Sequence, residues 1–315
     1  MAKITLVFAS IRLILYKSSF VAVSCKGLLA TKFTNKRSEY ANKEVILVTG
    51  ASSGMGRETA IKLAKEGYTV YAAARRLDKL NELKEYGCIP IQMDIAKEQE
   101  IESAVSKINK EHGGVDVLFN NAGIAVQGSL EETDIADAKK QFEVNVFGLA
   151  RLTQLVIPYM RNKGSGKIIN TSSIAGKVHG PISSWYVASK HAVEGLSSSL
   201  RVELQPFGIQ VVLIRPGAIS SELISTFVDG MVKRSGNGPY AEMTKTLVAW
   251  SESRDNNPKY SSPPSVIADT VLEIIKSKKP KTSYEVGKTS KQMIWSRRLL
   301  SDRILDNMML NFLKS

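Results

Sequence analysis

The chain is predicted to fold as an α/β protein with a single doubly wound domain, a mainly parallel sheet with helices on both faces. Three observations predict it. Short apolar, β-branched runs alternate with stretches whose apolar residues recur at helical spacing, and no internal repeat interrupts them. A glycine-rich turn, Thr49 to Gly56, follows the first of those runs at once and opens a helix. The length, 315 residues of which 43% are hydrophobic, suits one such domain carrying an extension at each end.

Taken in order, Val45-Ile46-Leu47-Val48 reads as a strand buried on both faces, because it is continuously apolar rather than alternating. A helix over 57–66 follows, with Ala60, Ile61 and Ala64 on one side and Gly67 as its stop. Its first backbone N–H groups face whatever the loop encloses, an arrangement suited to phosphate. The second strand, 69–73, ends in Ala74-Arg75-Arg76. A dinucleotide site ordinarily carries an acid there to bind a ribose; guanidinium groups instead suit a 2′-phosphate, through charge-assisted bonds of roughly 1.5–3 kcal/mol each. NADP(H) is the cofactor this predicts, against the plainer reading that Arg75 and Arg76 solvate a strand end. Runs at 91–93, 115–119, 167–170 and 211–214 read as further strands.

The chemistry lies later in the chain. Tyr186 and Lys190 are four residues apart, one turn above each other on the same helix face, so an ammonium can sit under a phenol. A phenol titrates near roughly 10, and a neighbouring positive charge favours the phenolate, which brings the group toward acid and base work. Thr171-Ser172-Ser173 follows a strand as a turn where a hydroxyl can hold a carbonyl oxygen.

These motifs together resemble the short-chain dehydrogenase/reductase family. The loop has its Gly-x-x-x-Gly-x-Gly spacing at Gly50, Gly54 and Gly56, and Asn120-Asn121-Ala122-Gly123, Asn145, Ser173, Tyr186-Val187-Ala188-Ser189-Lys190 and Pro216-Gly217 follow in the family's order. The resemblance covers about residues 44 to 288, and 186–216 look like the branch of 17β-hydroxysteroid and retinol dehydrogenases. It implies a seven-stranded Rossmann sheet and an oxidoreductase that interconverts a ketone or aldehyde and an alcohol. Tyr186 would be the general acid/base. Ser173, 13 residues before it, would hold the carbonyl oxygen in preference to Ser172. Lys190 would lower the tyrosine and bind the nicotinamide ribose, and Asn145 would hold a water behind the lysine. The cofactor would touch Gly50, Ser52, Ser53, Gly54, Met55, Gly56, Arg75, Arg76, Asp94, Asn121, Ala122 and Gly123 on the adenosine side. Pro216, Gly217, Ile219 and Ser221 would meet the carboxamide, Ser221 standing where the family has threonine.

Residues 220–262 follow the sixth strand, where the family varies and a lid covers substrate. Leu223, Ile224, Phe227, Val228, Met231 and Val232 recur there at helical spacing, which predicts a hydrophobic substrate or ordinary burial. His179 and Trp185, just before the tyrosine, are expected to wall the substrate cleft. Reduction is the expected direction. The alternative function is a protein that holds NADP(H) for regulation or scaffolding without turnover. The family also implies pairing through helices near 134–161 and 185–206 into homo-dimers or tetramers.

Charge and cysteine usage narrow the partners. Residues 45–275 contain 25 basic and 25 acidic side chains, so the net +13 comes from the two ends. A basic stripe on the folded face is therefore not expected, nor is nucleic acid as a partner. Two cysteines and three histidines with no ligand spacing predict neither metal nor disulfide framework, and a reducing, cytoplasmic location. Residues 1–44 form a basic extension whose apolar stretch 4–16 is too short to span a bilayer; it reads as a targeting segment, a surface anchor or a start placed too far upstream. Residues 289–315 form a basic amphipathic helical tail, expected to contact a membrane surface or to pack back on the domain.

Overall fold

The computed structural model describes residues 44–220, 222–254 and 257–314. The reading of the N-terminal stretch 4–16, Cys25 and Ser221 lie outside the described residues. Seven strands form one sheet: β1 (Val45–Thr49), β2 (Thr69–Ala74), β3 (Ile89–Gln92), β4 (Val117–Asn120), β5 (Gly166–Thr171), β6 (Ile209–Pro216) and β7 (Ser283–Val286). Their order is β3-β2-β1-β4-β5-β6-β7, and every pairing is parallel, so the mainly parallel sheet expected from sequence is parallel throughout.

Strand β1 is buried along its whole length because it feeds two cores. Ile46 and Val48 point to one, with Phe119, Val212 and Ile214. Val45 and Leu47 point to the other, with Tyr71, Leu118 and Ile168. The two-residue period of a strand thus splits a continuous apolar run between both faces. Helices α1 (Gly54–Lys65) and α9 (Ser265–Lys276) cover the first face through Leu63, Ile267, Val271 and Ile274. Helices α3 (Glu98–His112) and α5 (Leu149–Lys163) cover the second through Ile101, Val105, Leu152 and Val156. Chain direction across the sheet reverses between β1 and β4, and ligands of such sheets bind in the crevice that this opens at the carboxyl ends of the strands.

The other helices are α2 (Leu77–Asn81), α4 (Ile135–Phe142), α6 (Ser184–Leu204), α7 (Glu222–Ser235), α8 (Ala241–Glu252), α10 (Ser290–Leu299) and α11 (Asp302–Lys314). Helix α7 is tied to α4 by Arg234 on Asp137, 2.5 Å, and to the loop before α4 by the Ser129 N–H on Ser235 Oγ, 2.9 Å. The basic tail becomes α10 and α11. It packs back in part, through buried Ile294 and Leu305 and through Phe312 edge-on to Trp250 of α8 at 6.0 Å between ring centroids. No helix among the described residues is long and apolar enough to cross a membrane.

Candidate active site

The glycine-rich loop is shaped by close approach of backbone. Helix α1 starts at Gly54, inside the loop and three residues earlier than the periodicity predicts, so the loop's own N–H groups open the helix. A Cβ on Gly56 would sit on the Gly50 carbonyl oxygen and the Asn121 amide, which is why only glycine fits there. Asn121 braces the loop from the next strand: its side-chain N–H donates to the Thr49 carbonyl at 3.0 Å, and its backbone N–H donates to Thr49 Oγ1 at 3.0 Å.

A cleft of about 380 Å³ opens beside this loop. Of the residues expected to bind a cofactor, it is lined by Gly50, Ser52, Ser53, Gly54, Met55, Arg75, Arg76, Asp94, Asn121, Ala122 and Gly123. Gly56 lies behind the loop as a packing position. The Arg76 guanidinium reaches across the cleft mouth to Ser52 Oγ at 3.1 Å, joining the end of β2 to the loop. Asp94 folds its carboxylate onto the Ala96 N–H at 3.0 Å while its own N–H donates to Glu100 at 2.7 Å, so the turn after β3 is fixed. Sequence reasoning missed Ile95, Val144 and Thr226 as lining residues. Thr226 is the instructive one, since it brings helix α7, in the stretch expected to cover substrate, to the cleft.

The reacting side chains converge at the far end. Ser173 caps the short 3₁₀ turn Ile174–Gly176 by accepting the Ala175 N–H at 3.1 Å, which leaves its own O–H for Tyr186. Lys190 is 6% exposed; its amine donates to the Thr171 carbonyl at 3.0 Å and stands 5.8 Å from the centroid of the Tyr186 ring. Burial pulls that amine down to about 8. The expectation for Tyr186 was a phenol lowered by the lysine; here burial pushes it up, and the Ser173 hydroxyl offsets only part of the shift. Desolvating a phenolate outweighs one hydrogen bond, so near neutral pH the tyrosine holds its proton.

Asn145 is buried inside a π-helical turn, Glu143–Gly148, rather than in regular helix. Its amide clamps Ile124, accepting that residue's N–H and donating to its carbonyl, both at 2.9 Å, and also donates to Ser189 Oγ at 3.1 Å. Gly123 joins the two ends of the site: a Cβ there would lie 3.3 Å from Asn145 Oδ1 and 3.7 Å from Lys190 Nζ. From α7, Phe227 meets the Tyr186 ring edge-on at 5.5 Å.

Other expected residues make contacts of their own. Pro216 ends β6, and the N–H of Gly217 donates to the Val286 carbonyl at 2.8 Å, which anchors the loop to β7. The Ile219 side chain is buried in the first core. Trp185 turns its ring edge-on to Phe142 of α4 at 6.3 Å, and His179 bonds Asp306 of α11 at 2.8 Å. Among the described residues no group of three or more His, Cys, Asp and Glu could hold a metal ion.

One cluster had no signal in the sequence. Glu194 lies one turn beyond Lys190 on α6 and receives two bonds from Arg215 of β6, Nε to Oε1 and Nη2 to Oε2, both 2.8 Å. Burial raises the Glu194 carboxyl, but Arg215 outweighs it and the net direction is down.

The profile for short chain dehydrogenases matches residues 44–231. The uncharacterized oxidoreductase YusZ of Bacillus subtilis is 36% identical over 268 residues, 82% of this chain and 94% of that protein. The NADPH-dependent 3-dehydrocapnine reductase of Ornithobacterium rhinotracheale is 32% identical over 279 residues, 85% and 96% of the two chains. A short-chain dehydrogenase structure from Streptomyces avermitilis superposes with a TM-score of 0.72 at 30% identity, covering 86% of this chain and 97% of that one. The loop, the cleft and the clustered serine, tyrosine and lysine therefore belong to a member of the short-chain dehydrogenase/reductase family, an oxidoreductase built on one Rossmann domain with a seven-stranded parallel sheet.

Proposed function

We propose that this oxidoreductase uses NADP(H) to interconvert an apolar ketone or aldehyde and its alcohol, with Tyr186 as general acid/base and reduction as the working direction. The observation that carries the reading is the convergence of Ser173, Tyr186 and Lys190 at one end of a glycine-walled cleft. The cleft suits a dinucleotide: Gly50, Ser52, Ser53 and Gly54 line it, and α1 begins at Gly54 so that its first N–H groups open beside that lining. Arg76 at the mouth, with no acid at the end of β2, favours the 2′-phosphate. The NADPH dependence named for the Ornithobacterium relative supports the same choice.

A bound nicotinamide would supply the hydride. The chain's own part is to place and protonate an oxygen. Ser173 would donate to the substrate carbonyl, and Tyr186, holding its proton near neutral pH, would deliver it as negative charge develops there. Lys190, charged below about 8, would stabilise the phenolate left behind. Asn145, Gly123 and Lys190 share one small space, which keeps the amine beside the ribose side of the cleft. Phe227 against the tyrosine ring supports an apolar substrate, and Thr226 one residue earlier would cover the cofactor.

Exposed Trp295, Leu299 and Met308 beside Lys291 and Arg298 support peripheral contact with an anionic membrane surface. Exposed Phe147, in the π-helical turn before α5, and exposed Val202 on α6 support self-association through helices near 134–161 and 185–206. The test is an NADPH-oxidation screen across aliphatic, retinoid, steroid and 3-oxoacyl carbonyls, run beside Tyr186→Phe. Turnover that disappears in the variant supports the reading. Tight NADPH binding with no turnover in either protein would replace it with a non-catalytic dinucleotide binder.

A further inference from the structure

We propose that Glu194 is a positioning residue for the reaction: through Arg215 and Lys177 it ties together the three segments that carry Ser173, Lys190 and the Pro216-Gly217 loop. The inference rests on the reading above and adds a residue to it. Tyr186, Lys190 and Glu194 are spaced four apart on α6, so they follow one another along one helix face. Where the first two face the reaction, the third faces an ion-pair network.

The network has four arms. Arg215 grips the Glu194 carboxylate with two parallel bonds of 2.8 Å, and its Nη1 donates to Glu285 of β7 at 2.7 Å and to Ser283 at 2.8 Å. Arg215 immediately precedes Pro216 and Gly217, so its guanidinium fixes the strand end from which that loop departs. Its carbonyl also accepts the Ser290 hydroxyl at 2.8 Å. Lys177, at the end of the turn that Ser173 caps, reaches Glu194 at 3.1 Å. Gly176 of the same turn fits so tightly that a Cβ would strike Ser172 Oγ and approach Glu194 Cγ to 2.9 Å. One carboxylate thus contacts α6, the serine turn and the nicotinamide-side strand.

Stability alone is a poor reason for this arrangement. The side chains of Glu194 and Arg215 are 4% and 9% exposed, and desolvation of such a pair consumes most of its attraction; well-packed apolar residues of similar volume are often as stabilising. What an apolar pair cannot reproduce is a directional, two-bond register between the helix that holds the lysine and the strand that ends in Pro-Gly.

The experiment compares Glu194→Gln with the double variant Glu194→Leu/Arg215→Met, reading thermal stability, NADPH affinity by fluorescence, and kcat and KM on a carbonyl accepted in the screen. Glu194→Gln leaves a buried guanidinium undercompensated and is expected to lose stability and turnover together. The double variant is expected to recover the melting temperature and to bind NADPH within threefold of wild type, because the adenosine cleft is untouched, yet to keep kcat at least tenfold down. A double variant with kcat within twofold of wild type overturns the proposal, since packing would then suffice. If the buried variants do not fold, Lys177→Met and Glu285→Gln remove arms whose side chains are 41% and 24% exposed. A kcat lowered severalfold at unchanged NADPH affinity supports the network, and wild-type kcat in both overturns it. Tyr186→Phe, run alongside, separates this outcome from failure of the oxidoreductase reading: if wild-type turnover does not depend on Tyr186, the reading falls, whatever Glu194 does.

Discussion

Lys190 carries opposite consequences for catalysis and for stability. Its amine is drawn from an unfolded value near 10.5 down to about 8 by burial, so charging it inside the folded protein is costly. Between those two values the unfolded chain binds the proton and the folded chain does not, so stability gains as pH rises from about 8 toward 10.5 and is lost as pH falls back through 8. Lys190→Met removes the charged form. We predict that at pH 7 it melts higher than wild type, by an amount bounded at about 3 kcal/mol and reduced by the lost bond to Thr171, with the difference closing by pH 10.5. The same substitution should abolish measurable turnover, as expected where function keeps a strained charge. Melting curves at pH 7 and pH 10 decide it; a variant less stable at pH 7 would mean that the Thr171 bond outweighs desolvation. Wild-type kcat should also fall on the alkaline side as pH passes about 8, when the amine that supports the phenolate discharges. Tyr186→Phe should lose on the order of 10²–10⁴ in kcat with little change in NADPH affinity, which steady-state rates and a binding titration would measure.

At the level of elements, local pattern and long-range placement separate cleanly. Strands β1, β2 and β4 to β6 were legible because a doubly buried strand is a continuous apolar run, and that signal is local. The glycine turn was legible for the same reason. Strand β7 was not read, being four half-buried residues that only pairing with β6 makes a strand. The π-turn at Asn145 left no trace in periodicity, since one wider turn changes the helical angle too little to see. Bonds that join distant residues were invisible as well: His179 to Asp306 spans 127 positions and sends a residue expected at the substrate wall to the tail helix. The Ser173, Tyr186 and Lys190 group was readable from spacing, whereas the sign of the tyrosine's shift depended on burial, which spacing does not encode. A test of the element-level packing is Gly56→Ala. Because its Cβ would meet the Gly50 carbonyl and the Asn121 amide, α1 and the loop must part; NADPH affinity should fall at least tenfold, while far-ultraviolet circular dichroism stays native. Unchanged affinity would mean that the loop yields without leaving its binding shape.

For the whole molecule, charge is distributed in a way that the fold explains only in part. The domain interior to residues 45–275 is balanced, and the basic excess lies at the ends. The C-terminal end returns to the domain through Ile294, Leu305 and Phe312, yet leaves another face outward: Trp295 is 57% exposed, Leu299 75% and Met308 56%. Lys291, Trp295, Arg298 and Leu299 fall at helical spacing on one side of α10, with the Arg298 guanidinium 5.6 Å from the Trp295 ring centroid. An indole and aliphatic side chains next to long cationic stems match the boundary between acyl chains and headgroups. The segment after the Ser173 turn and helix α8 touch this end of the chain, through His179 with Asp306 and Phe312 with Trp250. We predict that the full-length protein sediments with phosphatidylcholine vesicles containing phosphatidylglycerol but not with phosphatidylcholine alone, and that salt weakens the association because about 1 kcal/mol per basic side chain is at stake. Trp295→Ser/Leu299→Ser and Arg298→Glu should each cut the bound fraction severalfold while leaving NADPH oxidation on a water-soluble carbonyl unchanged. Binding that survives all three substitutions would assign the attachment to some other part of the chain, and sedimentation unaffected by the anionic lipid would remove the membrane from the account of this tail.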